Sequence, residues 1–156
     1  MKQIVFVFLL LAAVVSSAFA GVVIENLKVN QQEKPLGTDI SVPHFSWQMK
    51  ALDSKRGYAQ KAYQIVVTGP NNQVVWDSQK VNSDLSNGIE YAGSLLKPTS
   101  RYTWKVTVWD NANATASSSS WFETGLMNPS MSAWSGAKWI GGGDDDLVFY
   151  SHYLSQ

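Results

Sequence analysis

Beyond its first twenty residues the chain alternates apolar and polar side chains with a period of two and shows no stretch at helical spacing. In "FSWQMK", Phe45, Trp47 and Met49 fall on one side and Ser46, Gln48 and Lys50 on the other. "KAYQIVVT" repeats the pattern with Tyr63, Ile65 and Val67, and "VVWDSQK" places Val74 with Trp76. The longest run sets Tyr102, Trp104, Val106 and Val108 against Arg101, Thr103, Lys105 and Thr107. Side chains of a strand point alternately to its two faces, so each run predicts a strand with one buried side. Turn chemistry separates the runs: Gly69-Pro70-Asn71-Asn72 predicts a tight connection, and Asn87-Gly88 precedes a short strand around residues 89–91. Lys97-Pro98-Thr99-Ser100 leads into the long strand, and Asp110-Asn111-Ala112-Asn113 leads out of it. "TASSSSW", 115–121, predicts a polar loop that runs into the last strand. About seven short strands punctuated by turns between residues 22 and 127 predict an all-β, immunoglobulin-like sandwich. Its core is expected to contain Trp47, Tyr63, Ile65, Trp76, Tyr102, Trp104, Val106 and Val108.

The two ends of the chain have a different character. Lys2, an uncharged apolar run over residues 4–15, and the small residues Ala18 and Ala20 together predict a cleaved secretory signal over residues 1–20. That run is shorter than the ~20 residues of a membrane span, so the mature chain is expected to be secreted or periplasmic, with no membrane association once the signal is removed. Residues 21–127 are expected to form the sandwich. Residues 128–156 contain Pro129, the glycines 141–143 and the aspartates 144–146 before a new apolar run at 147–153. Too short for a core of their own, they predict a linker and the first strand of a second, truncated β domain.

Composition narrows the function further. There is no Cys, so a secreted chain of this kind must be held together by its core and not by disulfides. Twelve basic and twelve acidic residues balance without a basic stripe, which argues against nucleic acid as a partner. Glu33, Asp39, Asp53, Asp77, Asp84 and Asp110 are scattered, mostly in turns or at strand ends. Asp144-Asp145-Asp146 lacks the spaced ligands of a calcium loop and reads as a solvated segment. His44 falls on a polar face, and His152 has no second histidine or cysteine nearby to share a metal. No serine sits in a nucleophile elbow and no glycine-rich loop has a strand-to-helix context. Asn113-Ala114-Thr115 fits the glycosylation pattern by chance. No catalytic residue, metal site or cofactor is expected.

Seven Trp in so short a chain need a reason. Trp47, Trp76 and Trp104 fall on buried faces. Trp109 lies on the side of Arg101 and Lys105, and it is the one candidate for stacking on a sugar ring. Trp121, Trp134 and Trp139 lie near or beyond the end of the sandwich, where exposed rings mark an interface with a following domain.

Leu96-Lys97-Pro98-Thr99-Ser100-Arg101-Tyr102 resembles the fibronectin type III signature, in which the tyrosine hydroxyl bonds back to nearby backbone; Tyr102 takes that place. "SSWFETG" resembles the closing strand of the same fold. A narrower resemblance rests on "NLKVNQQEKPLGTDISVPHFSWQM", "AYQIVV", "VWDSQKVNS", "YTWKVTVWDN", "WFETGL" and "WSGAKWIG" in that order. The series is similar to the N-terminal region of bacterial α-L-rhamnosidases, inverting glycoside hydrolases that remove rhamnose from plant glycans. In that family a fibronectin-III-like domain is followed by jelly-roll-like β domains and, much later, by a catalytic barrel of paired helices. "AKWIG" resembles the hinge into the second domain. The resemblance implies a non-catalytic accessory module whose partners are the downstream domains of a parent enzyme and, through it, rhamnose-containing glycans. No position here matches the family's catalytic acid or base. A secreted carbohydrate-binding module and a fibronectin-III-like protein-interaction module are the alternatives.

Overall fold

The computed structural model describes residues 21–128 and 130–137. The signal expected at 1–20, Trp139, the glycine and aspartate runs and the strand expected at 147–153 lie outside the described residues.

Among the described residues seven strands, β1 (Val22–Val29), β2 (His44–Ala51), β3 (Gln60–Thr68), β4 (Val74–Asp77), β5 (Ile89–Glu90), β6 (Arg101–Asp110) and β7 (Thr115–Glu123), form two sheets. One has the order β1-β2-β5 and the other β4-β3-β6-β7, and every neighbouring pair is antiparallel. The predicted inner faces meet between the sheets. Phe45 on β2 lies 4.7 Å from the ring of Trp104 on β6 and stacks on Trp76 at 5.9 Å, while Trp47 meets Tyr63 edge-on at 5.3 Å. Aromatic pairs at such separations add to the area they bury, which accounts for Trp47, Trp76 and Trp104. One amide sits inside this core: Gln60 accepts from Trp47 Nε1 at 3.0 Å and donates to the carbonyls of Leu85 at 2.7 Å and Ser83 at 3.1 Å. It ties β2, β3 and the β4–β5 connection together with its own polar groups satisfied.

Two expectations change. Residues 115–120 are not a loop: all of Thr115–Glu123 pairs with β6, from Trp109↔Thr115 to Arg101↔Glu123. The strand was obscured because its inward positions before Phe122 are Ala116, Ser118 and Ser120, small residues that allow β1 to lie against β7. On β4, Val74 and Trp76 do not share a face. An extra residue between the pairs Val67↔Trp76 and Thr68↔Val74 bulges the strand. Val75 therefore packs on the core beside Trp76, and Val74 is left 55% exposed.

The cross-sheet contacts define the two ends of the sandwich. Phe45, Trp104, Tyr102 and Phe122 lie toward one end and Trp47, Tyr63 and Gln60 toward the other. The first is the end at which the chain leaves β7.

Candidate functional site: the chain exit and its end face

Three segments converge where the chain leaves β7: the β1–β2 loop, the β5–β6 loop and the residues after Glu123. Tyr102, at the start of β6, organises the second of these. Its hydroxyl accepts from the Lys97 amide at 2.7 Å, and its buried ring stacks on Phe122 at 5.3 Å. This is the tyrosine corner that the Leu-Lys-Pro motif predicts.

Thr124 is buried at the junction. Its hydroxyl donates to the Lys97 carbonyl at 2.6 Å and accepts from the Ser100 amide at 3.0 Å, while its own amide donates to the Ser100 carbonyl at 3.0 Å. On the opposite side the β1–β2 loop runs parallel to the exit, with Thr38 paired to Thr124. The Thr38 amide donates to Glu123 O, and the Gly125 amide donates to Thr38 O, each at 2.9 Å. The carboxylate of Asp39 then accepts from the Met127 amide at 2.6 Å, and the Gly125 carbonyl accepts from Thr99 N at 2.8 Å. Gly125 is required by this close approach: a Cβ there would lie 2.8 Å from the Gly37 carbonyl and 2.5 Å from Asp39 Oδ1. Exit residues 124–127 are therefore held from both sides by hydrogen bonds.

Residues 130–137, expected to be linker, continue this order. Met131–Trp134 form one turn of 3₁₀ helix capped by Ser130, whose hydroxyl accepts from Ser132 N at 3.2 Å, and Ser135 closes it in the left-handed region. Leu95, Leu96, Pro98, Met127 and Ala133 line a shallow depression of ≈ 640 Å³ at this end.

The remaining residues singled out in the sequence are more dispersed. Trp47, Tyr63, Tyr102 and Trp104 are buried in one core cluster, with Trp76 partly buried against it. Trp109 is half-buried on the outer face of the four-stranded sheet, and the ammonium of Lys80 lies 4.5 Å from its ring centroid. Trp121, on the same outer face, carries the Arg101 guanidinium at 4.3 Å; that group also pairs with Glu123 at 2.6 Å. His44 is exposed, 3.6 Å from Glu90. Among the described residues no group of three or more His, Cys, Asp or Glu side chains is placed to hold a metal ion. Thr38, Thr124 and Gly125 were not singled out in the sequence, and Asp39 was noted only among the scattered acidic residues. Their only trace is the Thr-Gly pair closing the last strand, because the partner loop lies more than eighty residues away.

The wiring of the two sheets, with a tyrosine corner where the chain enters β6, defines an immunoglobulin-like domain. Its family is narrower. Residues 24–128 match the model described as the Rha78A-like, N-terminal immunoglobulin domain, and the chain belongs to that family. It is 45% identical over 118 residues to an α-L-rhamnosidase of Streptomyces avermitilis, an alignment covering 72% of this chain and 11% of that protein. An α-L-rhamnosidase of Formosa agariphila is 36% identical over 124 residues, covering 74% and 13%. Among solved structures, the S. avermitilis α-L-rhamnosidase complexed with L-rhamnose superposes with a TM-score of 0.69 at 39% identity, covering 80% of this chain and 12% of that one. The α-L-rhamnosidase from Dictyoglumus thermophilum superposes with a TM-score of 0.68 at 35% identity, covering 83% and 15%. The chain thus corresponds to a small N-terminal part of these proteins.

Proposed function

We propose that this domain is the non-catalytic N-terminal accessory module of a secreted α-L-rhamnosidase acting on rhamnose-containing plant glycans, and that its work is mechanical. The observation that carries the reading is the exit held at Thr124, Gly125 and Met127. A chain fixed on both sides as it leaves a rigid sandwich sets the starting direction of whatever follows. The family and its relatives supply the enzyme; the exit supplies the role. Residues 1–20 act as the export signal, and N-terminal sequencing of the exported protein should begin at Gly21.

Inverting glycoside hydrolysis needs two carboxyl groups ~6.5–9.5 Å apart across a pocket that encloses a sugar ring; the dispersed acidic residues of the described domain give no basis for assigning that role here. The test is release of rhamnose from an aryl rhamnoside by the purified chain, run beside a titration with rhamnose-containing oligosaccharides. Neither turnover nor saturable binding is expected, and Trp109→Ala should change nothing in either assay. Turnover would make the chain an enzyme in its own right. Saturable binding lost in Trp109→Ala would make it a carbohydrate-binding module.

A further inference from the structure

Away from the exit, one peptide unit combines a reactive sequence with a built restraint. Asn87-Gly88 lies in the β4–β5 connection, exposed to water. Gly88 has a φ of 70°, and a Cβ placed on it would meet nothing within 4 Å. In an asparagine–glycine pair the backbone nitrogen reaches the side-chain carbonyl carbon with least hindrance, because glycine has no Cβ to block the approach. Here both reacting groups are held by one side chain. Ser46 on β2, buried at 8% exposure, donates its hydroxyl proton to Asn87 Oδ1 at 2.7 Å and accepts from the Gly88 amide at 3.2 Å. Gln31 Nε2 donates to the same Asn87 oxygen at 3.3 Å. The flanking residues are fixed to β2 as well: the Trp47 amide donates to Ser86 O at 2.9 Å, and Ile89 pairs with Phe45.

We propose that Asn87 is a deamidation site of this domain and that Ser46 is the latch that keeps it slow in the folded state. In the reaction the Gly88 nitrogen loses its proton and bonds to Asn87 Cγ, the Cγ–Nδ2 bond breaks, and ammonia leaves. Water then opens the resulting cyclic imide at either carbonyl, giving aspartate or isoaspartate, with no oxidant or reductant involved. Ring closure needs the nitrogen to travel onto Cγ with its N–H released. Ser46 opposes both requirements: its oxygen bridges the two groups and occupies the N–H, while its own proton is already given to Oδ1. A neutral hydroxyl is also too weak a base to take the amide proton. The consequence reaches the core. Isoaspartate adds one carbon to the backbone between Ser86 and Ile89, which Trp47 and Phe45 hold in register, and the same connection supplies the Ser83 and Leu85 carbonyls to Gln60.

The test is to incubate the purified chain at mildly alkaline pH, folded and in guanidinium, and to follow its tryptic peptides by mass spectrometry with fragmentation. Trypsin spares the Lys97-Pro98 bond, so the peptide 81–101 carries Asn87 together with Asn82, an internal reference followed by serine. The folded wild type should convert Asn87 at least roughly tenfold more slowly than the unfolded chain, because ring closure waits on local opening. Ser46→Ala removes both bonds of the latch and should raise the folded rate roughly tenfold, leaving Asn82 unchanged. Ser46→Thr keeps a hydroxyl and should stay slow. Ser46 lies on the face of β2 opposite Phe45 and Trp47, so neither variant alters the inner packing, and an unchanged unfolding midpoint checks this. Equal rates in the folded and unfolded wild type would overturn the proposal. So would a Ser46→Ala rate no faster than wild type; a slower one would make the hydroxyl a catalyst of the reaction. A parallel rise at Asn82 would overturn it too, because the variant would then have loosened the whole connection.

Discussion

Trp47 and Trp104 lie in the same core and carry the same polar atom, but only one of them has a partner for it. The indole N–H of Trp47 donates to Gln60, whereas that of Trp104, 0% exposed, has no hydrogen-bond partner. Leaving a buried acceptor without its donor costs about 1–3 kcal/mol, whereas removing a donor that was already unsatisfied relieves its desolvation penalty and so offsets part of the packing lost. Trp47→Phe should therefore destabilise the domain more than Trp104→Phe, by roughly 1–2 kcal/mol in guanidinium unfolding; equal or reversed losses would contradict this. Tyr91 makes a second prediction. Burial, with Tyr102 nearby, pushes its hydroxyl up to about 12, and that hydroxyl donates to Ser94 O at 2.7 Å. The unfolded chain loses this proton near pH 10. The stability linked to the shift is fully present below that pH and is lost as pH rises toward 12, where the unfolded state ionises and the native state resists. Between pH 10 and 12 the unfolding free energy should fall more steeply in the wild type than in Tyr91→Phe, with tyrosinate absorbance appearing as the protein unfolds.

Among the elements, those with one fully apolar face are legible in the sequence. β2, β3 and β6 each carry large side chains at alternate positions, and they form the centre of the two sheets. β7 was legible only from Trp121 onward, because small inward residues suit its neighbour β1 and erase the hydrophobic signal. The bulge in β4 was invisible for a related reason: alternation places Val74 inward, and only the pairing with β3 shows that Val75 takes its place. The exit was the least legible element, since its bonds join residues far apart in sequence through backbone groups that every residue has. Its energetics are nonetheless testable. Thr124→Val keeps the shape of the side chain but removes the bonds to Lys97 and Ser100, a loss of about 2 kcal/mol. Gly125→Ala places a methyl against the Gly37 carbonyl and should push the β1–β2 loop away. In amide exchange, the amides at positions 38 and 125 should lose protection in both variants, while the β3–β6 ladder at Ile65↔Val106 keeps it. Uniform loss across the sandwich would show instead that the exit is inseparable from the core.

For the molecule as a whole, the sandwich and its exit have separable tasks. The core is continuous from Trp47 to Phe122; the Met127 side chain packs against it, but Asp39 is not part of it. Asp39 is exposed, and its hydrogen bond to the Met127 amide is made outside the core. A substitution there should leave folding almost intact while loosening the direction in which the chain departs. In a longer chain carrying the following domains, Asp39→Ala should keep the unfolding free energy of the sandwich within about 1 kcal/mol, the loss of one exposed hydrogen bond. Small-angle scattering of the same protein should show a larger maximum dimension and a broader distance distribution, because the hinge after Thr124 then samples more directions. An unchanged profile would assign the orientation to the apolar end face alone, and the effect should then transfer to Leu95→Asp. If both variants scatter like the wild type, the sandwich does not orient its neighbour, and the mechanical reading of this domain would have to give way to a role on its outer surfaces.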